Sequence, residues 1–405
     1  LREGILYFFG GDLARVGVEE ASPVFRVYDP VSVPALGLVF ALMGLALLIQ
    51  SARCSGFRKD HLLFLVWTVF SAALMASQVR FLYLFSISGS ILVAFLFFWG
   101  AERIRASNRL EKVDSEAVEV VIGIFLLVLL LPAAIGLSTI AEYKPGIAGD
   151  WHDSLDWLAE NTPPTEGFER PVQAGEYGVL GWWDYGNWIL YQSRRPVVAN
   201  NFQAGAKDAA RFFLSESEKD ALDVIERREV QYVITDVKTV YSKLPSVARW
   251  ADEDPDSYVQ ISVDSDTITY EHSKRFLETV LARLHLLDCT SLGHFRLIYE
   301  SNTSEGLYFS VSEVKVFEQV PGAKITGKTS YDKPVGVILE MISNQGRRFQ
   351  YYNSAMPVDG RYEIVVPYST EDRYGTHSVG HYLLGPVEDV PGGSAVAIEV
   401  SEEDI

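Results

Sequence analysis

The chain has 405 residues, which is enough for two or three domains, and its formal net charge is −18 at pH 7. Residues 1–138 contain 11 basic and 11 acidic residues, so the whole acidic excess lies in residues 139–405. A half this acidic repels nucleic acid and excludes a protein that follows phosphate backbones, so we expect no nucleic-acid partner. The two cysteines, Cys54 and Cys289, provide no disulfide framework and match no spaced zinc-site pattern.

The N-terminal third is rich in long apolar runs. A membrane-spanning helix needs about 20 predominantly apolar residues, and runs of this length favour spans over the buried core helices of a soluble protein. We therefore predict that residues 31–138 hold about four transmembrane helices. The four runs are Val33 to Ser51, His61 to Ser77, Phe81 to Gly100 and Val120 to Leu137.

The loops between these runs predict the orientation of the chain. Basic residues cluster after the first run (Arg53, Arg58, Lys59) and after the third (Arg103, Arg105, Arg109, Lys112). Positive loops stay in the cytoplasm, so residues 1–30 form an external loop and everything after about Ser138 is extracellular. The protein is thus predicted to be a multi-pass protein of the cell membrane. Since the chain begins at Leu1 without an initiator Met or a secretory signal, we expect it to lack an N-terminal part.

Arg80 lies in the short external link between the second and third runs. An arginine at this boundary can extend to lipid headgroups, which is the simplest interpretation. Its planar, permanently charged guanidinium can equally bind a lipid diphosphate.

Two further domains are predicted after the membrane region. Residues 139–312 alternate between helical and strand patterns, which is typical of a mixed α/β domain with a central sheet. Residues 313–405 form short alternating runs separated by turn signals such as Val358-Asp359-Gly360, which favours a small β-sandwich-like domain. Its predicted strands are Val314 to Phe317, Val335 to Ile342, Arg347 to Tyr352, Tyr362 to Pro367 and Val396 to Val400.

The most informative segment of the α/β domain is Trp182-Trp183-Asp184-Tyr185-Gly186. It lies between the apolar run Tyr177 to Leu180 and a predicted helix from Asn187 to Ser193, so it is a strand-to-helix turn. Tryptophan and tyrosine each offer an apolar face and one hydrogen-bond donor, which suits binding a hydroxyl or a methyl group. The alternative is structural, with Asp184 as a helix N-cap beside core aromatics.

This WWDYG segment resembles the signature of the catalytic subunit of the oligosaccharyltransferases, the enzymes of asparagine-linked glycosylation, and of their archaeal members in particular. The resemblance implies a membrane glycosyltransferase. It would transfer an oligosaccharide from a lipid-linked donor, a dolichol phosphate or diphosphate, to the asparagine of an Asn-x-Ser/Thr sequon in an acceptor protein. The residues implied to bind the sequon hydroxyl are Trp182, Trp183, Asp184, Tyr185 and Gly186.

A second family signature follows a predicted strand, Val230 to Thr235. The spacing of archaeal members is matched by Asp236, Lys243 and Val247, with Val in place of Met or Ile. Lys243 and Val247 would share one helix face and could hold the hydroxyl and methyl of the sequon residue. Without the resemblance, such a string is most often a solvated helix.

The resemblance also implies a catalytic role for Arg80, which would contact the donor phosphate, and for one glutamate of an external loop. Glu20 is aligned with that glutamate through Pro23 and would bind a divalent cation, Mn²⁺ or Mg²⁺. Glu142 is the alternative, because Thr139-Ile140-Ala141-Glu142 matches the motif more closely in a less suitable place. Most of the metal ligands are expected upstream of this chain.

Other interpretations remain open. Asn302-Thr303-Ser304 is the only sequon in the sequence without a forbidden proline, so Asn302 is a possible glycosylation site. A membrane-anchored receptor or adhesion protein would also explain external ligand-binding domains on four spans. Another lipid-donor membrane glycosyltransferase, acting on sugars or on hydroxyls, is a third hypothesis.

Overall fold

The computed structural model of the protein describes residues 33–56, 58–105 and 147–405, with isolated positions between 117 and 127. Within the last range it omits residues 167, 169–174, 265–266, 303, 306–310, 372–374 and 389–394. The chain divides into two compact units, Leu1–Gly146 and Ile147–Ile405. Glu20, Glu142 and most of the fourth predicted span lie outside the described residues.

The first unit contains three long apolar helices: α1 (Val33–Ser55), α2 (Lys59–Ser77) and α3 (Leu82–Arg105). Each is long and apolar enough to cross a membrane. Their contacts are made by Ala41, Met75, Phe85 and Leu92, among others. Outward-facing side chains are also apolar, and Leu63 and Phe98 are 73% and 74% exposed. A helix that is apolar on every side suits lipid better than water, so the structure favours membrane helices over soluble core helices.

The second unit holds the remaining elements. Its helices are α4 (Gly149–Asn161), α5 (Gly186–Trp188), α6 (Ala206–Leu214), α7 (Glu218–Arg227), α8 (Val237–Val240), α9 (Leu244–Trp250), α10 (Lys274–Leu277) and α11 (Val280–His285). Its first strands are β1 (Gly178–Leu180), β2 (Val230–Asp236), β3 (Val259–Asp264), β4 (Thr267–His272), β5 (Phe295–Glu300), β6 (Ser304–Glu305), β7 (Val311–Ser312) and β8 (Val314–Gln319). The later strands are β9 (Ala323–Lys328), β10 (Val335–Ile342), β11 (Arg348–Ala355), β12 (Arg361–Val366), β13 (His377–Ser378), β14 (Tyr382–Pro386) and β15 (Val396–Ile398).

A four-stranded sheet with the order β1-β2-β8-β5 forms the centre of this unit. Strands β1 and β2 are parallel, whereas β8 pairs antiparallel with both β2 and β5. The strands are nearly continuous runs of buried residues, as expected for a sheet that is covered on both faces. The predicted mixed α/β architecture is therefore confirmed. Val197, which follows the turn in sequence, forms one parallel bridge with Val179 of β1.

The position of strand β8 differs from the sequence prediction. The sequence pattern assigns Val314 to Phe317 to the C-terminal β-sandwich-like domain, but the structure places these residues inside the four-stranded sheet. A short, fully buried β-branched run fits either sheet equally well by composition. Its partner strands, which lie far away in sequence, decide which sheet it joins.

The C-terminal strands form two further sheets. Strands β10, β11, β13, β14 and β15 make one sheet, and β9 and β12 make the other. The predicted turn Val358-Asp359-Gly360 joins β11 to β12, with positive φ angles at Asp359 and Gly360. Residues of these sheets, such as Tyr351 and Ile364, share one hydrophobic core with Phe317 of the central sheet.

Buried charges also connect the central sheet to the C-terminal strands. The ammonium of Lys315 in β8 donates to Asp288 at 2.6 Å and to the carbonyl oxygen of His285 at 2.8 Å. Arg347, just before β11, bonds Asp288 and Glu300. Burial alone would raise the pKa of Asp288, but the Lys315 and Arg347 cations outweigh it and hold that pKa below its usual range.

Candidate functional site

The WWDYG segment forms the predicted strand-to-helix turn. Strand β1 ends at Leu180, a single 3₁₀ turn spans Trp183–Tyr185, and α5 follows directly from Gly186. A π-helical turn, Ile189–Ser193, then completes the predicted helix 187–193. The turn thus lies at the carboxyl end of a parallel strand, which is where open α/β sheets commonly bind their ligands.

Gly186 allows the turn to pack against a neighbouring loop. A Cβ atom at this position would lie 2.2 Å from the carbonyl oxygen of Ala199 and 2.6 Å from the Cα of Asn200. Asn201 of the same loop donates to the carbonyl oxygen of Asp184 at 2.9 Å and accepts from the amide of Asn187 at 3.1 Å. The glycine is therefore required by backbone packing, and the loop holds the turn from outside.

Asp236 connects the turn to the second motif. It is the last residue of β2, and because β1 and β2 are parallel, both strands end at the same edge of the sheet. Its carboxylate is fully buried and accepts from the Tyr185 hydroxyl and, at 3.3 Å, from the Trp151 indole. Thr239 donates to it through its amide, at 2.9 Å, and its hydroxyl, at 2.5 Å, so Asp236 also caps α8.

The Tyr185 hydroxyl stays protonated as the donor in this arrangement. Burial raises the pKa of Tyr185 strongly, and the negative charge of Asp236 raises it further. The tyrosine ring packs against Trp151 at a centroid distance of 4.2 Å. Asp236 and Tyr185 are thereby held in the core beneath the turn.

Lys243 and Asp184 form the exposed part of the same junction. Lys243 immediately precedes α9, and its ammonium forms an ion pair with the Asp184 carboxylate. The same ammonium lies 4.0 Å from the centroid of the Tyr185 ring, within the range of a cation–π interaction. The two charged side chains remain 24% and 30% exposed, so a ligand can reach them. The N-cap interpretation of Asp184 is wrong, because its side chain caps no described helix.

The aromatic residues of the motif differ in exposure. Trp182 is 1% exposed and belongs to the core, as does Val247 of α9, which has no exposed surface. Trp183 is half-buried and lies 6.4 Å from Trp250, centroid to centroid. The indole nitrogens of both residues are buried and have no hydrogen-bond acceptor among the described residues.

Three residues of this junction were not predicted: Trp151, Thr239 and Trp250. The sequence spacing could have predicted Trp250. It follows Lys243 by seven positions and Val247 by three, which places all three residues along one helix face. No such spacing predicts Trp151, since its helix is 85 residues from Asp236 in sequence.

The other predicted site residues lie elsewhere. Arg80 belongs to the first unit, in the 3₁₀ turn Val79–Phe81 that leads into α3, with its guanidinium 5.4 Å from the centroid of the Phe81 ring. Asn302 is exposed, two residues after the end of β5. Within the described parts of the chain, no group of three or more His, Cys, Asp or Glu side chains could hold a metal ion.

Two protein-family models match the chain. Residues 148–240 match the AglB core domain, and residues 322–405 match the archaeal glycosylation protein B long peripheral domain. The first match contains the turn Trp182–Gly186 and Asp236, and Lys243 follows three residues after its end. The chain is therefore similar to the archaeal oligosaccharyltransferases. The resemblance inferred from WWDYG is therefore confirmed.

Named archaeal relatives extend this result. The chain is 30% identical over 346 residues to a dolichyl-phosphooligosaccharide-protein glycotransferase 1 of Archaeoglobus fulgidus, covering 79% of this chain and 53% of that protein. It is 27% identical over 336 residues to the dolichyl-monophosphooligosaccharide–protein glycotransferase AglB of Haloferax volcanii, covering 68% of this chain and 31% of that protein. The chain thus spans about half the length of the Archaeoglobus relative.

Solved oligosaccharyltransferase structures share the fold. An A. fulgidus AglB in complex with an inhibitory peptide and a dolichol-phosphate superimposes with a TM-score of 0.82 at 22% identity, over 99% of this chain and 59% of that one. An A. fulgidus oligosaccharyltransferase tethered to an acceptor peptide with an NVT sequon gives 0.79 at 23% identity, over 99% of this chain and 60% of that one. Identities this low establish similarity of fold.

Proposed function

We propose that this protein transfers an oligosaccharide from a dolichol-linked phosphate donor to the side-chain nitrogen of asparagine in Asn-x-Ser/Thr sequons. The names of the archaeal relatives support this activity, and the peptide and dolichol-phosphate complexes of AglB support both substrates. The chain spans about half the length of the Archaeoglobus relative, so the activity is proposed for a protein of that relative's full length.

The ion pair between Asp184 and Lys243 is the observation that carries the proposal. These residues come from the two motifs, 59 positions apart, and meet in one partly exposed place. A carboxylate there can accept the hydroxyl hydrogen of a sequon Ser or Thr, and the Lys243 ammonium holds that carboxylate in position. The adjacent Trp183 has a buried indole N–H with no acceptor among the described residues, which a bound sequon would have to reach. Asp236, Tyr185, Trp182 and Val247 would support this surface from the core.

The chemistry requires such positioning because an amide nitrogen is a poor nucleophile. The asparagine nitrogen must form a bond to the anomeric carbon while the bond from that carbon to the phosphate oxygen breaks. Holding the sequon hydroxyl two residues away fixes the asparagine relative to the donor, which lowers the entropic part of the barrier. We assign this positioning role to Asp184, Trp183 and Lys243.

Arg80 is proposed to bind the donor phosphate from the membrane unit. Its guanidinium stays charged and can pair two phosphate oxygens. Glu20 remains the proposed carboxylate of the reaction and a ligand for Mn²⁺ or Mg²⁺, with Glu142 as the alternative. An AglB structure in complex with Zn and sulfate supports metal binding in this family. The described residues do not form a metal site.

The membrane arrangement supports the same activity. We propose four spans in residues 31–138 with residues 139–405 outside the cell, which brings both substrates to one side of the membrane. Three described helices are long and apolar enough to cross it. The C-terminal domain is proposed to have a structural role. It begins at about residue 313 by the sequence pattern and at residue 322 by the family model.

Peptide binding to the complete protein tests the acceptor site. The wild type should bind an Asn-x-Thr peptide more tightly than Asn-x-Ala, because a site built for a hydroxyl leaves its own groups unpaired without one. Asp184→Ala should lower the affinity for Asn-x-Thr roughly ten- to hundredfold, which corresponds to about 1–3 kcal/mol, and leave Asn-x-Ala nearly unchanged. Asp223→Ala, at an exposed position of α7, is the matched control. If Asp184→Ala keeps the preference for Thr over Ala, the motif is core packing and the acceptor-site proposal fails.

A further inference from the structure

Asn302 is the sequence feature that the acceptor site does not explain. It is exposed, and no described residue forms a hydrogen bond with its side-chain amide. Modifying the amide nitrogen would therefore break no interaction of the described structure. A glycan is bulky and strongly solvated, so it is compatible with a folded domain only at an exposed asparagine of this kind.

The backbone around Asn302 is well anchored on its N-terminal side. The preceding residue, Ser301, is 1% exposed, and its amide donates to the carbonyl oxygen of Val314 at 2.9 Å. Its hydroxyl accepts from the amide of Val314 at 3.0 Å. Asn302 is the first residue beyond this anchor, and it is exposed.

Asn302 lies in the same compact unit as the turn Trp182–Gly186. The candidate membrane spans found among the described residues all lie between Gly37 and Arg103, before this unit begins. Asn302 and the candidate acceptor site are therefore on the same side of the membrane, whichever side that is. Any glycan donor available to the site is available on the side where Asn302 is exposed.

We propose that Asn302 is itself a glycosylation site of this protein, modified by the activity proposed above, on which this inference rests. The Nδ2 atom of Asn302 forms a bond to the anomeric carbon of a lipid-phosphate-linked oligosaccharide and releases one proton to solvent. The bond from that carbon to the phosphate oxygen breaks, and its electron pair leaves with the lipid phosphate. Ser304 supplies the hydroxyl that sequon recognition requires.

Mass spectrometry of the complete protein from its own membranes tests the proposal. Trypsin cleaves after Arg296 and Lys315, and the peptide between them, residues 297–315, contains the single unblocked sequon of the sequence. This peptide should carry the mass of a glycan. Asn302→Gln and Ser304→Ala should abolish the added mass, whereas Ser304→Thr and the control Thr303→Ala should retain it.

A secreted reporter with an Asn-x-Thr sequon, expressed in the same cells, separates this proposal from the proposed function. A glycosylated reporter together with an unmodified 297–315 peptide overturns the Asn302 site and leaves the proposed function intact. If neither is glycosylated, the proposed function fails as well. In cells whose only copy carries Asp184→Ala, the glycan on Asn302 should be lost, and its persistence there would assign the modification to another enzyme and overturn the proposal.

Discussion

The Tyr185 hydroxyl donates a hydrogen bond to the buried carboxylate of Asp236, 51 residues later in the chain. This bond joins the turn after β1 to the end of β2. The partly exposed ion pair of Asp184 and Lys243 lies next to it, with the Lys243 ammonium over the Tyr185 ring. The two motifs are therefore parts of one structure, in which a buried layer fixes the side chains that a ligand can reach.

Removing the Tyr185 hydroxyl should destabilise the protein. Tyr185→Phe leaves the ring in place but removes one donor from a buried carboxylate, which costs about 1–3 kcal/mol. Tyr191→Phe is the matched control, since Tyr191 is 81% exposed and should change stability by less than about 0.5 kcal/mol. Thermal unfolding of the detergent-solubilised protein, followed by tryptophan fluorescence, measures both. Equal effects of the two substitutions would contradict the role of the Tyr185–Asp236 bond.

Gly186 should not tolerate a side chain. Gly186→Ala places a Cβ against the backbone of Ala199 and Asn200, which cannot move as easily as a side chain, so the turn must distort. We expect a clear loss of both stability and acceptor-peptide binding. Gly149→Ala at the start of α4 meets no atom within 4 Å and should be neutral, or stabilising by up to about 1 kcal/mol. Normal peptide binding by Gly186→Ala would show that the close approach is unnecessary.

The two unpaired indoles provide a matched test of ligand contact. Trp183→Phe and Trp250→Phe each remove one buried N–H that has no acceptor among the described residues, while keeping most of the apolar packing. Neither should lower stability by more than about 1.5 kcal/mol. We expect Trp183→Phe to weaken Asn-x-Thr binding at least several-fold and Trp250→Phe to leave it unchanged. The reverse order in a peptide titration would assign the ligand contact to Trp250.

The buried charges around Asp288 predict a dependence of stability on acid. The pKa of Asp288 is lowered in the folded protein, so its stabilising contribution is complete above the unfolded value of about 3.9 and is lost as pH falls below it. Asp288→Asn leaves the cation of Lys315 buried without its counter-charge and should cost about 3–5 kcal/mol at pH 7.

Urea unfolding of wild type and Asp288→Asn at several pH values checks this prediction. The difference in unfolding free energy should be largest at neutral pH and shrink below about pH 4. Asp223→Asn, at an exposed position, should show no such difference. A gap between wild type and Asp288→Asn that stays constant from pH 7 to pH 3 would argue against the lowered pKa.

Thiol labelling tests the proposed membrane orientation with residues that the structure describes. Cys54, near the end of α1, is exposed and is predicted to face the cytoplasm, whereas Cys289 is fully buried. A membrane-impermeant thiol reagent added to intact cells should therefore leave the wild type unlabelled until the membrane is permeabilised. Tyr191→Cys should be labelled at once, because position 191 is exposed and predicted to be outside. Labelling of Cys54 in intact cells would reverse the orientation.

The sequence by itself determined the features that depend on neighbouring residues. The length of its apolar runs predicted the membrane helices α1 to α3, and β-branched runs predicted β2 and β10 closely. The five residues of WWDYG predicted both the turn and the family. These are local signals, because hydropathy, turn chemistry and a contiguous motif can be evaluated without knowing which segments meet.

Only the tertiary structure decided how these segments combine. Parallel pairing of β1 with β2 brings Tyr185 to Asp236 and Asp184 to Lys243, and it separates the buried Trp182 and Val247 from the accessible Asp184 and Lys243. Pairing with β2 and β5 also places β8 in the central sheet and not in the predicted β-sandwich-like domain. Contacts between residues tens of positions apart follow from strand pairing and from the burial of a shared core, and neither is encoded in the local pattern of any one segment.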